Sequence, residues 1–329
     1  MYLNDSPTDS KLAVIADVGR RAVRLCLTDH EGRLRPETLR AYEPSQQSTI
    51  SGALSAFGGE CELAALPRRC AIAVSGAPVG DIISVTNSRW YVSRSGLAAM
   101  LQAAPLILND FAAKAWAIGS PQSGAAIETV MGPALDLAAP GNRCLIGVGS
   151  GLGVAVITRN GHGNVSVLST EAGHCHFPGD IPELREVMLR MRRTKSAITA
   201  EDLISERGLL ALYQAVVEIE GGIARASDSA GVIRLAVSND CAARRAADHF
   251  CRALWHFAGN MTLAYGAWDG VMITGPVANA LRGLIRLPEL SADFIVEGPY
   301  QRQLRDIPRA LVTLEHAELH GAARALLLN

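Results

Sequence analysis

Four glycines alternate with other residues from Gly147 to Gly153, and a strand-like run stands on each side of them. The two runs are Cys144–Gly147 and Val154–Thr158, so the segment is typical of a strand, a tight turn and a second strand. A dinucleotide-binding fold instead requires the spacing G-x-G-x-x-G followed by a helix. Here Leu152 or Val154 stands where the third glycine is required, and a strand follows. The segment therefore excludes the dinucleotide fold and restricts this part of the chain to a hairpin.

The same strand–turn–strand pattern occurs a second time near the N-terminus. The apolar run Leu12–Ala16 ends at Asp17-Val18-Gly19, and another strand-like run covers Val23–Thr28. Further predicted strands are Arg69–Val74, Pro105–Leu108, Val165–Leu168 and Val271–Thr274. Predicted helices are Ser93–Gln102, Phe111–Ile118, Pro182–Arg193, Gly208–Glu220, residues 240 to about 265, and Ala317–Leu328. Strands that alternate with helices predict an α/β fold, and the repeated unit indicates two halves that are built alike.

Length and composition are consistent with two domains. A chain of 329 residues is expected to form about two domains, and 49% hydrophobic residues are enough for large cores. Gly119–Gly141 is rich in glycine, proline and small residues, which makes it the predicted boundary. The formal net charge of −1 lacks the excess of positive charge that nucleic-acid-binding domains carry. No nucleic-acid partner is therefore expected.

The sequence also predicts where the protein is located. No apolar run approaches the ~20 residues that a membrane helix requires. The polar residues 1–11 lack the basic and apolar regions of a signal peptide. The seven cysteines are scattered and form no C-x-x-C pair, which is typical of free thiols in a reducing compartment. We therefore expect a cytoplasmic protein without a membrane partner.

Several polar residues have both a chemical and a structural interpretation. The N–H groups of the glycine turn suit phosphate oxygens, although an ordinary hairpin explains the same glycines. Asp110 follows a predicted strand, where α/β proteins bind ligands, but it can also cap the next helix. Glu171 and Glu201 are equally compatible with solvated surface carboxylates. His174 and His176 suggest a metal, but alternate residues of a strand face opposite ways and no third ligand is evident.

Five segments carry a resemblance when they are read in order along the chain. They are ADVG (Ala16–Gly19), LNDFAAKAWAI (Leu108–Ile118), GVGSGLGVAVI (Gly147–Ile157), EAGHCHF (Glu171–Phe177) and AEDLIS (Ala200–Ser205). Together they resemble the bacterial-type glucokinases of the hexokinase–actin–heat-shock-ATPase superfamily. The resemblance implies two RNase H-like domains, with an interdomain cleft that closes over a sugar and a nucleotide. The expected small domain comprises residues 1–119 and 310–329, and the expected large domain comprises residues 120–309.

The resemblance also implies a role for each matching residue. Asp110 would be the general base at the 6-hydroxyl of glucose or a similar hexose. Hydrogen bonds to the sugar would come from Asn109, Asp110, Glu171, His174 and Glu201, whose charged and amide groups suit a polyol. ATP would be bound by Asp17, Gly19, Gly149, Ser150, Gly151, Gly153 and Gly275, the last of these beside the adenosine. Asp17 would orient Mg²⁺ through a water molecule. A homodimer is expected by analogy with similar proteins.

The nucleotide side departs from the family pattern. The first phosphate motif of the family reads D-x-G-G-T-N, whereas this chain has Asp17-Val18-Gly19-Arg20-Arg21-Ala22. If Arg20 were forced into the left-handed conformation of a glycine, it would cost ~1–2 kcal/mol. Thr274-Gly275-Pro276 replaces a Gly-Gly pair, and Ser205-Glu206-Arg207-Gly208 replaces Ser-Gly-Pro-Gly. The sugar-side residues, in contrast, all match.

This asymmetry leaves two functions open. The first is an ATP-dependent glucokinase that makes glucose 6-phosphate, with Arg20 and Arg21 neutralising phosphate charge. The second is a catalytically impaired sugar-binding protein, a sensor or an oligomer partner, in which the same arginines fill the space that the phosphates need. The orientation and contacts of Arg20 and Arg21 are the features that separate the two.

Overall fold

The computed structural model describes residues 12–86, 88–120, 123–178 and 181–328. The polar N-terminal segment of residues 1–11 lies outside the described residues. The chain divides into two compact units, one formed by Met1–Ser123 with Leu314–Asn329 and the other by Gly124–Thr313. Both boundaries lie four residues beyond the expected positions 119 and 309. The second boundary follows residue 313 and not residue 309, because Arg309–Thr313 is a strand in the sheet of the second unit.

The first unit contains a five-stranded sheet. Its elements up to residue 118 are β1 (Ala13–Val18), β2 (Val23–Thr28), β3 (Arg40–Tyr42), α1 (Ile50–Glu60), β4 (Arg69–Val74), β5 (Ile82–Ser84), β6 (Tyr91–Ser93), α2 (Arg94–Leu101), β7 (Leu106–Asn109) and α3 (Asp110–Ile118). The strand order is β3-β2-β1-β4-β7, and β5 pairs with β6 separately. β1 is antiparallel to β2 and parallel to β4, which is parallel to β7. The carboxyl ends of β1, β4 and β7 therefore share one edge of the sheet.

The second unit contains a six-stranded sheet and most of the helices. Its strands are β8 (Ala126–Met131), β9 (Gly141–Val148), β10 (Leu152–Arg159), β11 (Val165–Thr170), β12 (Val271–Thr274) and β13 (Arg309–Thr313), in the order β11-β10-β9-β12-β13-β8. Its helices are α4 (Arg185–Met191), α5 (Ala200–Leu203), α6 (Glu206–Ile219), α7 (Ser229–Val237), α8 (Cys241–Tyr265), α9 (Pro276–Ala280), α10 (Arg282–Ile285), α11 (Pro288–Ser291) and α12 (Gln301–Arg305). The long helix α8 lies in the core of this unit, where Phe250, Trp255 and Phe257 are fully buried.

The C-terminal helix α13 (Ala317–Leu328) returns to the first unit and covers one face of its sheet. Alternate residues of β1 face two cores, because Val14 packs on the α1 side and Ile15 packs against α13. α13 also packs closely on α3, since a Cβ at Gly321 would lie 1.6 Å from the carbonyl oxygen of Ala113. Only glycine permits this backbone-to-backbone approach, which fixes α13 against the helix that begins at Asp110.

Most predicted elements are present, with some differences. Val23–Thr28, Arg69–Val74, Val271–Thr274 and Ala317–Leu328 match their predicted bounds. The predicted helix Pro182–Arg193 is a 3-10 turn at Pro182–Leu184 followed by the shorter α4. The predicted boundary segment contains β8, and β13 was not predicted. Within the described part of the chain, no helix combines the length and apolar character needed to cross a membrane. All seven cysteines are free thiols.

Candidate active site

The candidate residues of the first unit lie at the carboxyl edge of its sheet. Val18, Val74 and Asn109 form one row across β1, β4 and β7. Asp17 immediately precedes this row, and Asp110 is the first residue of α3. The structure therefore brings Asp17, Gly19, Asn109 and Asp110 to the same edge, as expected for ligand-binding residues of an α/β fold.

Asn109, not Asp110, caps helix α3. The side-chain oxygen of Asn109 accepts hydrogen bonds from the N–H groups of Phe111 (2.9 Å) and Ala112 (3.1 Å). Its Nδ2 donates to the carbonyl oxygen of Gly76 at 3.1 Å. The interpretation of Asp110 as the cap is thus wrong, because Asn109 accepts the hydrogen bonds from the first N–H groups of the helix. The second N–H of the Asn109 amide has no acceptor among the described residues and can donate to a ligand.

Asp110 is a partly buried carboxylate with few local contacts. Its Oδ1 accepts a hydrogen bond from the N–H of Phe111 at 2.7 Å. Burial raises the pKa of Asp110 above the ordinary range of an aspartate, while the Lys114 ammonium, the Phe111 N–H and the Ser75 hydroxyl act in the opposite direction. A carboxylate of raised pKa is a better proton acceptor near neutral pH than an ordinary aspartate.

Asp17 is buried and paired with a cation. Arg24 Nε donates to Asp17 Oδ2 at 2.7 Å, and Arg24 Nη2 contacts the same oxygen. Burial raises the pKa of Asp17 to about 6, although Arg24 lowers it, and the nearby carboxylates of Glu318 and Asp110 add to the rise. Asp17 Oδ1 accepts no hydrogen bond from the residues that the structure describes.

Three charged residues of this site were missed from the sequence: Arg24, Lys114 and Glu318. Glu318, on α13, lies 3.1 Å from Lys114 Nζ through Oε1 and 3.8 Å from Arg24 Nη2 through Oε2. Burial alone would raise the pKa of Glu318, but Lys114 and Arg24 outweigh it and the pKa lies below the ordinary value. Lys114, four residues after Asp110, was a visible signal. Glu318 was not, because it meets Lys114 only in the folded unit.

The first hairpin turn, Gly19–Ala22, closes on itself. The N–H of Gly19 donates to the carbonyl oxygen of Ala22 at 3.1 Å. Arg20 is half-buried and Arg21 is exposed, and neither forms an ion pair or a side-chain hydrogen bond with another described residue. Arg20 does not adopt the left-handed conformation whose cost was considered above, because the described non-glycine residues with positive φ do not include Arg20 or Arg21.

The second hairpin turn, Gly149–Gly151, is held by its neighbours. The N–H of Gly149 donates to the carbonyl oxygen of Gly151 at 3.0 Å, and Ser150 is exposed. A Cβ at Gly151 would lie 2.7 Å from Glu201 Oε2. Gly153 pairs with Gly147 across the hairpin. None of these glycines has positive φ, so the approach of the Glu201 carboxylate is the constraint that the structure shows at position 151.

Glu201 connects this turn to two helices. It lies on α5 and accepts a hydrogen bond from the N–H of Leu152 (3.1 Å) through Oε2. Its Oε1 accepts from Arg207 Nη2 at 2.9 Å, and Arg207 belongs to the first turn of α6. The N–H of Glu206 donates to the carbonyl oxygen of Gly149 at 2.8 Å. Both carboxylate oxygens of Glu201 therefore have protein donors.

Glu171 and His174 project from a 3-10 turn beside β10. The turn covers Ala172–His174, which corrects the assignment of His174 to a strand. Glu171 Oε2 and His174 Nε2 are 3.7 Å apart, and both side chains are more than half exposed. A Cβ at Gly173 would lie 2.2 Å from the carbonyl oxygen of Leu152, so the turn packs on the hairpin. The described residues contain no cluster of three or more metal-ligating side chains.

Gly275 borders the same hairpin from β12. Its φ is +106°, and a Cβ there would lie 2.3 Å from the carbonyl oxygen of Val148. Both the backbone angle and the close approach require glycine. The structure thus gathers the candidate residues of the second unit around one hairpin: Gly149, Ser150, Gly151, Gly153, Glu171, His174, Glu201 and Gly275.

Comparison with solved structures defines the class of fold. A glucokinase from an Antarctic psychrotroph superposes with a TM-score of 0.82 at 24% identity, covering 97% of this chain and 99% of that one. A glucokinase from Balamuthia mandrillaris in complex with glucose gives 0.76 at 21% identity, covering 97% and 94%. A ROK hexokinase from Thermus thermophilus gives 0.64 at 16%, covering 96% and 98%. The chain therefore has the two-domain, actin-like α/β fold of these solved structures.

Sequence comparison then defines the family. The family model Glucokinase matches residues 14–329. A glucokinase from Stenotrophomonas maltophilia (strain R551-3) is 32% identical over 320 residues, which cover 95% of this chain and 94% of the relative. A glucokinase from Xanthomonas campestris pv. campestris (strain B100) is 31% identical with the same coverage. The chain belongs to the Glucokinase family, so the resemblance noted in the sequence is confirmed.

Proposed function

We propose that this protein is an ATP-dependent glucokinase that phosphorylates the 6-hydroxyl of glucose. Family membership supports a hexose kinase, and relatives of nearly full length are named glucokinase. The observation that carries the proposal is the position of Asp110. It is a partly buried carboxylate of raised pKa at the carboxyl edge of the sheet, directly after the helix cap Asn109.

In this proposal Asp110 accepts the proton of the sugar 6-hydroxyl as the oxygen attacks phosphorus. Its raised pKa strengthens it as a base, and the hydrogen bond from Phe111 N–H holds its orientation. Asn109 contributes its remaining amide N–H to the sugar. Glu171 and His174 have exposed polar atoms that suit other hydroxyls. A phosphoryl transfer needs little more from the protein than such positioning and charge stabilisation.

The residues on the nucleotide side fit a triphosphate with Mg²⁺. Mg²⁺, when bound with ATP, neutralises the charge that develops on the transferring group. Asp17 Oδ2 is held by Arg24, whereas Oδ1 has no partner among the described residues and can accept a hydrogen bond from a metal-bound water. Arg20 and Arg21 have no side-chain partner in the described chain and provide guanidinium donors for phosphate oxygens. The Gly149–Gly151 turn and Gly275 would hold the remainder of the nucleotide.

A second candidate function is a catalytically impaired sugar-binding protein. One observation favours it: groups that a kinase would offer to ligands already have protein partners. Asp17 is paired with Arg24, the Gly19 N–H is bonded within its own turn, and Arg207 and Leu152 occupy both oxygens of Glu201. In this case glucose binds without turnover, and the protein acts as a sensor or an oligomer partner.

Two measurements on the purified protein separate the candidates. A coupled assay with glucose, ATP and Mg²⁺ detects glucose 6-phosphate, and calorimetry measures glucose binding without nucleotide. The kinase proposal expects product with saturation in both substrates. Glucose binding without product rejects it in favour of the second candidate. Neither binding nor product rejects both.

A further inference from the structure

We propose that Glu318, on the C-terminal helix α13, is a positioning residue. It holds the Lys114 ammonium and thereby controls how closely this cation approaches the Asp110 carboxylate. The reaction that Asp110 performs rests on the proposed function. The charge arrangement itself does not, because it is a property of the first unit alone.

Lys114 interacts with one carboxylate on its own helix and with another on α13. It is four residues after Asp110 on α3, which puts both side chains on one face of the helix. Its Nζ pairs with Glu318 Oε1 at 3.1 Å and forms no ion pair with Asp110. The Phe111 ring lies 5.8 Å from the same nitrogen. Glu318 therefore retains the cation that is otherwise free to turn towards Asp110.

Glu318 reaches a second cation with its other oxygen. Its Oε2 is 3.8 Å from Arg24 Nη2, and Arg24 is the partner of Asp17. One carboxylate on α13 thus faces both Lys114 and Arg24. The carboxylates of Asp17, Asp110 and Glu318 all interact with these two cations or with each other, so a change at Glu318 redistributes the charge around both aspartates.

The backbone keeps Glu318 in this position. Gly321, three residues along α13, lies against the backbone of Ala113, the residue before Lys114. Glu318 and Lys114 are therefore mounted on two helices in direct backbone contact. Their side chains are only 19% and 21% exposed, so solvent screens this pair less than a surface pair.

The charges around Asp110 predict opposite effects of the two partners. Lys114 faces it from its own helix and lowers its pKa, while Glu318 faces it from α13 and raises it. Asp17 on β1 interacts with it as a like charge, and Arg24 on β2 is the counter-ion of Asp17. Replacing Glu318 by Gln removes a negative charge and releases Lys114 towards Asp110, so the carboxyl should titrate at lower pH. Replacing Lys114 by Met should move it to higher pH.

The test is a carboxyl ¹³C NMR titration of the full chain, with Asp110→Asn used to assign the resonance. Relative to the wild type, we expect Glu318→Gln to lower the Asp110 midpoint and Lys114→Met to raise it, each by about half a pH unit or more. Glu315→Gln, on an exposed glutamate just before α13, is the matched control and should leave the midpoint unchanged. Shifts in the same direction, or no shift from Glu318→Gln, would overturn the proposal.

A double variant and the pH profile of kcat provide two further tests of the proposal. If Glu318→Gln does not fold, Lys114→Met/Glu318→Gln removes both charges together, and its Asp110 midpoint should lie close to that of Lys114→Met, because only the weak direct repulsion by Glu318 is lost once Lys114 is absent. A midpoint about half a pH unit or more below that of Lys114→Met would show that Glu318 acts without Lys114, and a clearly higher midpoint would show that Glu318 does not raise it; either result overturns the proposal. The acid limb of the kcat profile should follow the same order of variants. If the wild type makes no glucose 6-phosphate, the kinase proposal fails, while the carboxyl titration still tests the role of Glu318.

Discussion

The two hairpin turns, Gly19–Ala22 in the first unit and Gly149–Gly151 in the second, have the same local plan but different surroundings. The first closes through its own backbone, and its two arginine side chains have no partner among the described residues. The second is contacted by Glu201 and by the N–H of Glu206. The departures from the first phosphate motif, at Arg20, Arg21 and Ala22, lie in the turn that has fewer contacts outside itself. Arg20, Arg21 and Ala22 are therefore accommodated in a regular hairpin without left-handed backbone at either arginine.

The largest expected effect is at Asp110, which lies at the same edge of the sheet as the first turn. Asp110→Asn should lower kcat by ~10²–10⁴-fold, the usual range for a lost general base. Glucose affinity should stay near that of the wild type, because Asn retains the hydrogen bond from Phe111. Steady-state kinetics and calorimetry check both values, with the exposed Asp306→Asn as the control. Unchanged turnover would remove Asp110 from the mechanism.

The next effect is on the free energy of unfolding, and it compares the packing beside the second turn with that in the first turn. Gly275→Ala should lower the free energy of unfolding by about 1–3 kcal/mol, since the new Cβ meets the Val148 carbonyl and φ is unsuited to alanine. Arg20→Ala in the first turn should change it by no more than about 0.5 kcal/mol. Urea denaturation measures both, and Gly283→Ala, where a Cβ meets nothing, is the glycine control. Equal costs at Gly275, which packs beside the second turn, and at Arg20 in the first turn would break the comparison.

Asp17, which precedes only the first turn, should make stability depend on pH. The pKa of Asp17 in the folded protein is about 6, above its unfolded value of 3.8. The folded state therefore binds the proton more tightly, and stability is lost as pH rises from about 4 through 6. Relative to Asp17→Asn, the wild type should lose about 2 kcal/mol over this window. Urea denaturation at several pH values measures the difference, and a flat difference would contradict the raised pKa.

The smallest effect restores the family motif in the first turn. Replacing Arg20-Arg21-Ala22 by Gly-Thr-Asn should lower kcat/KM for ATP about tenfold, because two guanidinium donors for phosphate are lost and the neutral hydrogen bonds gained from Thr and Asn are weaker. The KM for glucose should not change, and the free energy of unfolding should stay near the wild-type value. A rise in kcat/KM for ATP would instead show that the present turn impairs nucleotide binding, as the second candidate function expects.

The elements that could be predicted from the sequence are those with a strong local pattern. The apolar runs Val23–Thr28 and Arg69–Val74 form strands with the predicted bounds. β13 could not be predicted in the same way, because its five residues become a strand only by pairing with β12 and β8. The 3-10 turn at Ala172–His174 could not be predicted either, because nothing in the local sequence reveals that Gly173 packs on Leu152.

The candidate site shows the same limit. Asn109, Asp110 and the glycine turn stand in recognisable motifs. Arg24 and Glu318 do not, because their role depends on side chains that approach from distant parts of the chain. The helix cap was assigned one residue late, since Asn109 and Asp110 are both good caps and only the hydrogen bonds distinguish them.

The most direct test of the central claim is the identity of the phosphorylated product. Purified wild-type protein is incubated with glucose, ATP and Mg²⁺ beside Asp110→Asn, and ³¹P NMR follows the products. Our account predicts accumulation of glucose 6-phosphate with the wild type and almost none with the variant over the same time. No sugar phosphate from the wild type, or equal amounts from both proteins, would contradict it.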